Sequence, residues 1–204
     1  TASGSFTAGH VERMRTKPGG GETMLLCYLS IGAAEPWRDY WNPKWRRARP
    51  GWMDAAPAEW AGSTLVHYWD PRWRALLVDQ PTSLLNRILS AGFDGVLLDG
   101  VNAFEHFRAK GRRSAPDEMI DLVSRIGAHA WAINPNFLLV PLNGEELLGS
   151  PSYRSVISAV AREDILFRPD YASGREAVPA VLSPSDSTTT DARPVPDPTR
   201  SAAV

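Results

Sequence analysis

One carboxylate stands out by its position. Asp99 closes the apolar run from Asp94 to Asp99 (DGVLLD), which reads as a strand with an acid at its C-terminal end. Where parallel strands alternate with crossover helices, reacting groups gather at C-terminal strand ends. Reading the other candidate ends the same way yields a polar set. Met24 to Ser30 (MLLCYLS) leads to Glu35, and Thr64 to Tyr68 (TLVHY) leads to Trp69 and Asp70. Phe137 to Leu142 (FLLVPL) leads to Asn143 and Gly144, and the apolar segment Val156 to Phe167 holds Glu163 and Asp164. Asn102 lies just beyond Asp99. Asp70 has a competing structural job, because Asp before Pro71 makes an N-cap followed by a first helical position.

Other chemistries lack their residues. His10, His67, His106 and His129 are scattered without metal-ligand spacing, and neither HExxH nor CxxC occurs. There is no GxSxG nucleophile elbow, and no GxGxxG or GxxxxGK[ST] phosphate loop follows a strand. The single cysteine, Cys27, sits in an apolar run and reads as a buried strand residue. No metal and no cofactor are therefore expected. Carboxylate chemistry remains. Glycoside hydrolysis needs two carboxylates flanking one bond, one to protonate the leaving oxygen and one as nucleophile or base. Seven tryptophans (Trp37, Trp41, Trp45, Trp52, Trp60, Trp69 and Trp73) crowd one region. Flat rings can stack on sugars, but aromatics also pack long loops. One or two are expected to line a cleft.

The elements that must hold these groups follow from periodicity. Residues 1–9 are small and polar and read as a disordered leader. A short helix is expected from His10 to Lys17, ended by Pro18 and the glycines after it. Residues 31–63 form a long loop with a basic cluster (Lys44, Arg46, Arg47, Arg49). A helix starts at Asp70 and runs to Val78, and a second spans Ser83 to Ala91 and stops at Gly92. Ser114 with Asp117 resembles a capping box. The helix behind it buries Met119, Val123, Ile126, Ala130 and Ile133 on one face. A short helix covers Pro151 to Ala159. From Tyr171 the chain is polar and Pro/Ser/Thr-rich, and residues 171–204 read as a disordered tail. Residues 10–170 thus make one α/β domain with a parallel sheet, either a closed barrel or an open doubly wound sheet. The net charge of −1 points to neither nucleic acid nor an anionic membrane. No apolar run reaches the roughly 18 residues of a membrane helix.

Five segments in colinear order resemble glycoside hydrolase family 114, the endo-α-1,4-polygalactosaminidase-like family. They are CYLSIGAAEPWRDYW (27–41), VHYWDPRW (66–73), AGFDGVLLDGVNAF (91–104), NPNFLLVPLNGEELL (134–148) and AREDILF (161–167). The resemblance implies a (β/α) TIM-type barrel, usually secreted, that cleaves an α-1,4-linked galactosamine polysaccharide without a cofactor. It implies Asp99 and Glu163 as the catalytic pair. It places Glu35, Arg38, Tyr68, Trp69, Asn102 and Asn143 along the sugar cleft. Three positions depart from the family pattern: Asn102 stands for an Asp, Leu142 for a Gln, and Ser158-Ala159 for Asp-Gly. A full barrel takes eight strands and about 250 residues; this chain offers about five, so the barrel is expected to be incomplete. Two other readings stay open, a carbohydrate-binding remnant without turnover and a carboxylate glycosidase of different sugar specificity.

Overall fold

The computed structural model describes residues 6–57, 62–163, 165, 167–170 and 175–179. The chain falls into two units, Thr1–Glu163 and Asp164–Val204.

In the first unit, three apolar runs become a parallel sheet of order β1-β5-β6. They are β1 (Leu26–Ser30), β5 (Gly95–Asp99) and β6 (Leu138–Pro141). The expected fifth segment continues this sheet beyond β6. Ala161 bridges Leu142 in parallel, and the Ser158 N–H donates to Leu139 O over 2.8 Å. Side chains alternate across the sheet. Leu29, Val96, Leu98 and Leu139 are buried on one face. Tyr28, Ser30, Leu97, Asp99 and Val140 belong to the other, because Tyr28 pairs with Leu97 and Ser30 with Asp99.

Thr64 to Tyr68 does not join this sheet. Its strand, β4 (Thr64–Val66), lies antiparallel between β2 (Ala33–Ala34) and β3 (Met53–Pro57). A short apolar run carries no information on pairing direction, so the pattern alone placed it wrongly. The long loop accordingly contains structure: β2, a 3-10 turn at Pro43–Arg46, and β3.

The helices follow their punctuation closely. α1 (Ala8–Arg15) starts two residues early because the Thr7 side chain caps it, accepting from the His10 N–H. Asp70 accepts from the Arg72 N–H over 2.9 Å and opens α2 (Pro71–Arg74), which widens into a π turn at Ala75–Asp79. α3 (Leu84–Ala91) is capped by Ser83 and ends at Gly92, whose φ of 85° only glycine adopts without strain. α4 (Ala103–Ala109), unannounced by the sequence, packs on the long α5 (Ala115–Ile133). The capping box at Ser114 does not form. Its hydroxyl points instead to Glu118, which is held by Arg112. Met119, Val123, Ile126 and Ala130 are buried as expected, but Ile133, the last residue of α5, is exposed. The last short helix, α6 (Pro151–Arg154), ends well before Ala159.

In the second unit, β7 (Phe167–Asp170) pairs antiparallel with β8 (Arg175–Pro179). The tail expected to be disordered therefore holds a strand at 175–179, and residues 180–204 lie outside the described residues, as do 1–5 of the expected leader.

Tryptophan packing explains how the loop over 31–63 stays in place. Trp41, Trp45, Trp52 and Trp73 form a chain of ring contacts 5.1–5.4 Å between centroids. Trp73 is fully buried and donates its Nε1–H to Ile31 O over 2.9 Å, tying this cluster to the end of β1. Trp60 lies outside the described residues.

Candidate active site

The site begins where β1 and β5 end side by side. The Ile31 N–H donates to Asp99 O over 2.9 Å, and just beyond, Gly32 and Gly100 pass backbone to backbone. A Cβ on Gly32 would lie 2.0 Å from Gly100 O, so the contact requires glycine. Gly100 turns the chain sharply with φ 74°. This close approach sets Asp99 at the strand end and brings the segment after β1 over it.

Asp99 is only 5% exposed and Glu35 7%. A single phenol links them. Tyr28 Oη donates to Asp99 Oδ2 over 2.5 Å and lies 3.2 Å from Glu35 Oε1. Arg38 Nε donates to Glu35 Oε2 over 2.5 Å, and its guanidinium sits 5.1 Å above the Tyr28 ring. The Glu35 N–H donates to Tyr40 Oη over 2.9 Å. Burial, the bond to Asp99 and the charges of Asp99 and Glu35 together push the Tyr28 phenol far above its usual pKa. It is a proton donor at any working pH. Burial likewise pushes Tyr40 up. The result is a half-enclosed cluster of two carboxylates, one guanidinium and two neutral phenols.

Glu163 stands apart from that cluster. It is exposed and held by a two-point contact with Asn143, whose Nδ2–H donates to Glu163 Oε1 over 3.1 Å and whose Oδ1 accepts from the Glu163 N–H over 3.2 Å. Asn143 adopts φ 61°, a left-handed position that asparagine tolerates better than most residues. Both residues sit past the C-terminal end of the β6 side of the sheet, the same edge as Asp99.

The remaining expected site residues divide. Asn102 precedes α4 beside this edge and makes no capping bond with its side chain. Tyr68 is not at a cleft: it is wholly buried and its hydroxyl donates to Ala115 O over 2.7 Å. Trp69 is engaged already, stacked on His67 and covered by the Arg112 guanidinium 3.8 Å from its ring centre. Both follow from β4 lying in the antiparallel sheet rather than beside β1. Among the described tryptophans, Trp37 is the exposed one that lines a cavity next to Glu35. It is 54% exposed and lines a cavity of about 260 Å³ together with Tyr28, Glu35, Arg38, Leu29 and Ile88, a cavity that neither Asp99 nor Glu163 lines. Sequence reading passed over Tyr28 and Tyr40. The signal for Tyr28 was its register: two residues before Ser30, it shares a sheet face with the strand-end acid of the neighbouring strand. Among the described residues, no group of three or more His, Cys, Asp or Glu side chains could hold a metal ion.

The family model for glycoside hydrolase family GH114 matches residues 7–166. The chain belongs to this family. A GH114 chain of this kind has relatives in an uncharacterised protein of Deinococcus radiodurans, 39% identical over 140 residues, and in one of Thermotoga maritima, 32% identical over 147 residues. The alignments cover 69% and 70% of this chain but 44% of each relative, so the chain spans less than half their length. Two solved structures share the GH114 fold. Aspergillus fumigatus Ega3, in complex with galactosamine, superposes with a TM-score of 0.59 at 19% identity, covering 78% of this chain and 57% of that one. The glycoside hydrolase domain of PelA from Pseudomonas aeruginosa gives 0.59 at 23% identity, covering 77% and 57%. These likenesses speak to fold: an α/β architecture with a parallel sheet flanked by helices.

Proposed function

We propose that this chain carries the catalytic edge of a glycoside hydrolase that cleaves an α-1,4-linked galactosamine polysaccharide with the carboxylate pair Asp99 and Glu163. The observation that supports this most is the placement of both acids past one edge of the parallel sheet with a single strand, β6, between them. Neighbouring strands lie about 4.8 Å apart, so their backbones are about 10 Å apart across the sheet. Side chains reaching toward a common bond can bring the carboxylates to the roughly 5–9.5 Å that glycosidases use. Asp99, buried and held, suits the role of nucleophile or oriented base. Glu163, exposed and oriented by Asn143, suits proton transfer with solvent.

Family membership supports the reaction class, and the galactosamine bound by Ega3 supports the sugar. An amino sugar is a cation at neutral pH. Among the described residues, the carboxyl groups of Glu35, Asp99 and Glu163 outnumber the one guanidinium, Arg38, that bonds to any of them, a balance that attracts such a ligand. We read the sheet as part of a (β/α) barrel. A polymer substrate places the reaction outside the cell.

The test is hydrolysis of de-N-acetylated α-1,4-galactosamine oligomers, followed by product analysis. Asp99→Asn should abolish turnover while the chain still unfolds cooperatively. Turnover retained in Asp99→Asn rules out this assignment. A second reading, binding without turnover, is favoured by Asn102 and Leu142, which stand where the family pattern has Asp and Gln. It predicts that the same oligomers bind the wild-type chain and that no shorter products appear.

A further inference from the structure

A phenol has one proton to give, and Tyr28 stands between two carboxylates. The distances assign that proton. At 2.5 Å the bond to Asp99 Oδ2 is a short charge-assisted hydrogen bond, whereas Glu35 Oε1 at 3.2 Å is at the outer range for two oxygens. Glu35 has its own compensation in the Arg38 guanidinium at 2.5 Å, and its backbone is pinned through Tyr40. Each acid therefore has a different partner: Arg38 for Glu35, Tyr28 for Asp99. Arg38 also lies over the Tyr28 ring, 5.1 Å from its centre.

The consequence for Asp99 is directional. Oδ2 is occupied by the phenol, and Oδ1 receives no hydrogen bond from the described residues. We propose that Tyr28 is the positioning residue of this site: it holds Asp99 by Oδ2 and presents Oδ1 to the substrate. This rests on the reading of Asp99 as the reacting carboxylate, which Tyr28 serves without touching the bond that breaks. Nothing in the strand pattern requires a tyrosine here. Leu26, two residues back on the same face of β1, is apolar. The phenol is elevated in pKa by its surroundings, so it stays a donor throughout the range in which a glycosidase works.

The experiment reads the carboxylate itself. Chain 1–204 carrying 13C-labelled aspartate is observed by NMR at one fixed pH, with Asp99→Asn identifying the Asp99 carboxyl signal. Tyr28→Phe keeps the ring and removes only the hydroxyl. The Asp99 carboxyl signal should move in Tyr28→Phe while the signals of the other aspartates stay in place. An unmoved Asp99 signal in a Tyr28→Phe chain that unfolds as cooperatively as the wild type overturns the proposal. In hydrolysis, kcat should fall roughly tenfold or more in Tyr28→Phe with KM little changed, the worth of one hydrogen bond to a charged acceptor; an unchanged kcat overturns the proposal equally. Failure of the wild-type chain to hydrolyse any oligomer would count against the glycosidase reading and leave the NMR comparison as it stands.

Discussion

Gly32→Ala should disconnect the two strand ends that hold the site. The added Cβ would lie 2.0 Å from Gly100 O and 2.8 Å from the Ala103 Cβ. Non-bonded heavy atoms rest at about 3.5 Å, so the first contact is short by about 1.5 Å. The obstacle is backbone on one side and a helix-anchored methyl on the other, and neither can rotate away. Relief must come from parting β1 and β5 beyond Ser30, which breaks the 2.9 Å bond from the Ile31 N–H to Asp99 O. Overpacking of this kind costs about 1–3 kcal/mol and the lost hydrogen bond about 1. The reduced freedom of the unfolded alanine chain returns about 0.5–1. A net loss of about 1–3.5 kcal/mol remains, a sizeable share of the 5–15 typical of a folded domain. Urea unfolding measures it directly, with a slope of about 2 kcal/mol per molar placing the midpoint about 0.5–1.8 M lower. Gly19→Ala is the control, because nothing lies within 4 Å of a Cβ there. If the two variants agree within about 0.5 kcal/mol, the close approach is not what positions Asp99.

Two further outcomes follow from the same geometry. Partial burial works against ionisation of Asp94, but the Leu25 N–H and the Arg15 guanidinium outweigh it, so its pKa lies below the ordinary 3.8. A carboxylate depressed on folding stabilises above its unfolded pKa and loses that contribution as pH falls through the folded value. Acid unfolding below pH ~4 should therefore be shallower in Asp94→Asn, with the wild-type advantage over that variant confined to higher pH; parallel curves would count against it. Asn143→Gly should keep the left-handed backbone yet release Glu163, whereas Asn143→Ala should add about 1 kcal/mol of strain as well. Stability should thus rank glycine above alanine, and equal loss of hydrolysis in both would tie the effect to the Asn143–Glu163 contact.

What could be read in the chain alone was whatever depends on local pattern. Asp99 as a strand-end acid, Asp70 as a cap, the stop at Gly92 and the buried stripe of α5 all follow from spacing of three, four or two residues, and the structure keeps each. The family motifs pointed to Asp99 and Glu163 as a candidate pair, because they are ordered segments rather than single residues. What the chain alone did not decide was who neighbours whom. Thr64 to Val66 looks like any parallel strand, yet it pairs antiparallel with residues on both sides, and that carries Tyr68 and Trp69 into packing roles. Pairing direction depends on backbone hydrogen bonds between distant segments, which no local pattern encodes. Tyr28 became part of the site for the same reason. Only the register that sets Tyr28 against Leu97, and so diagonally beside Asp99, brings a phenol in one strand to a carboxylate 71 residues away in another.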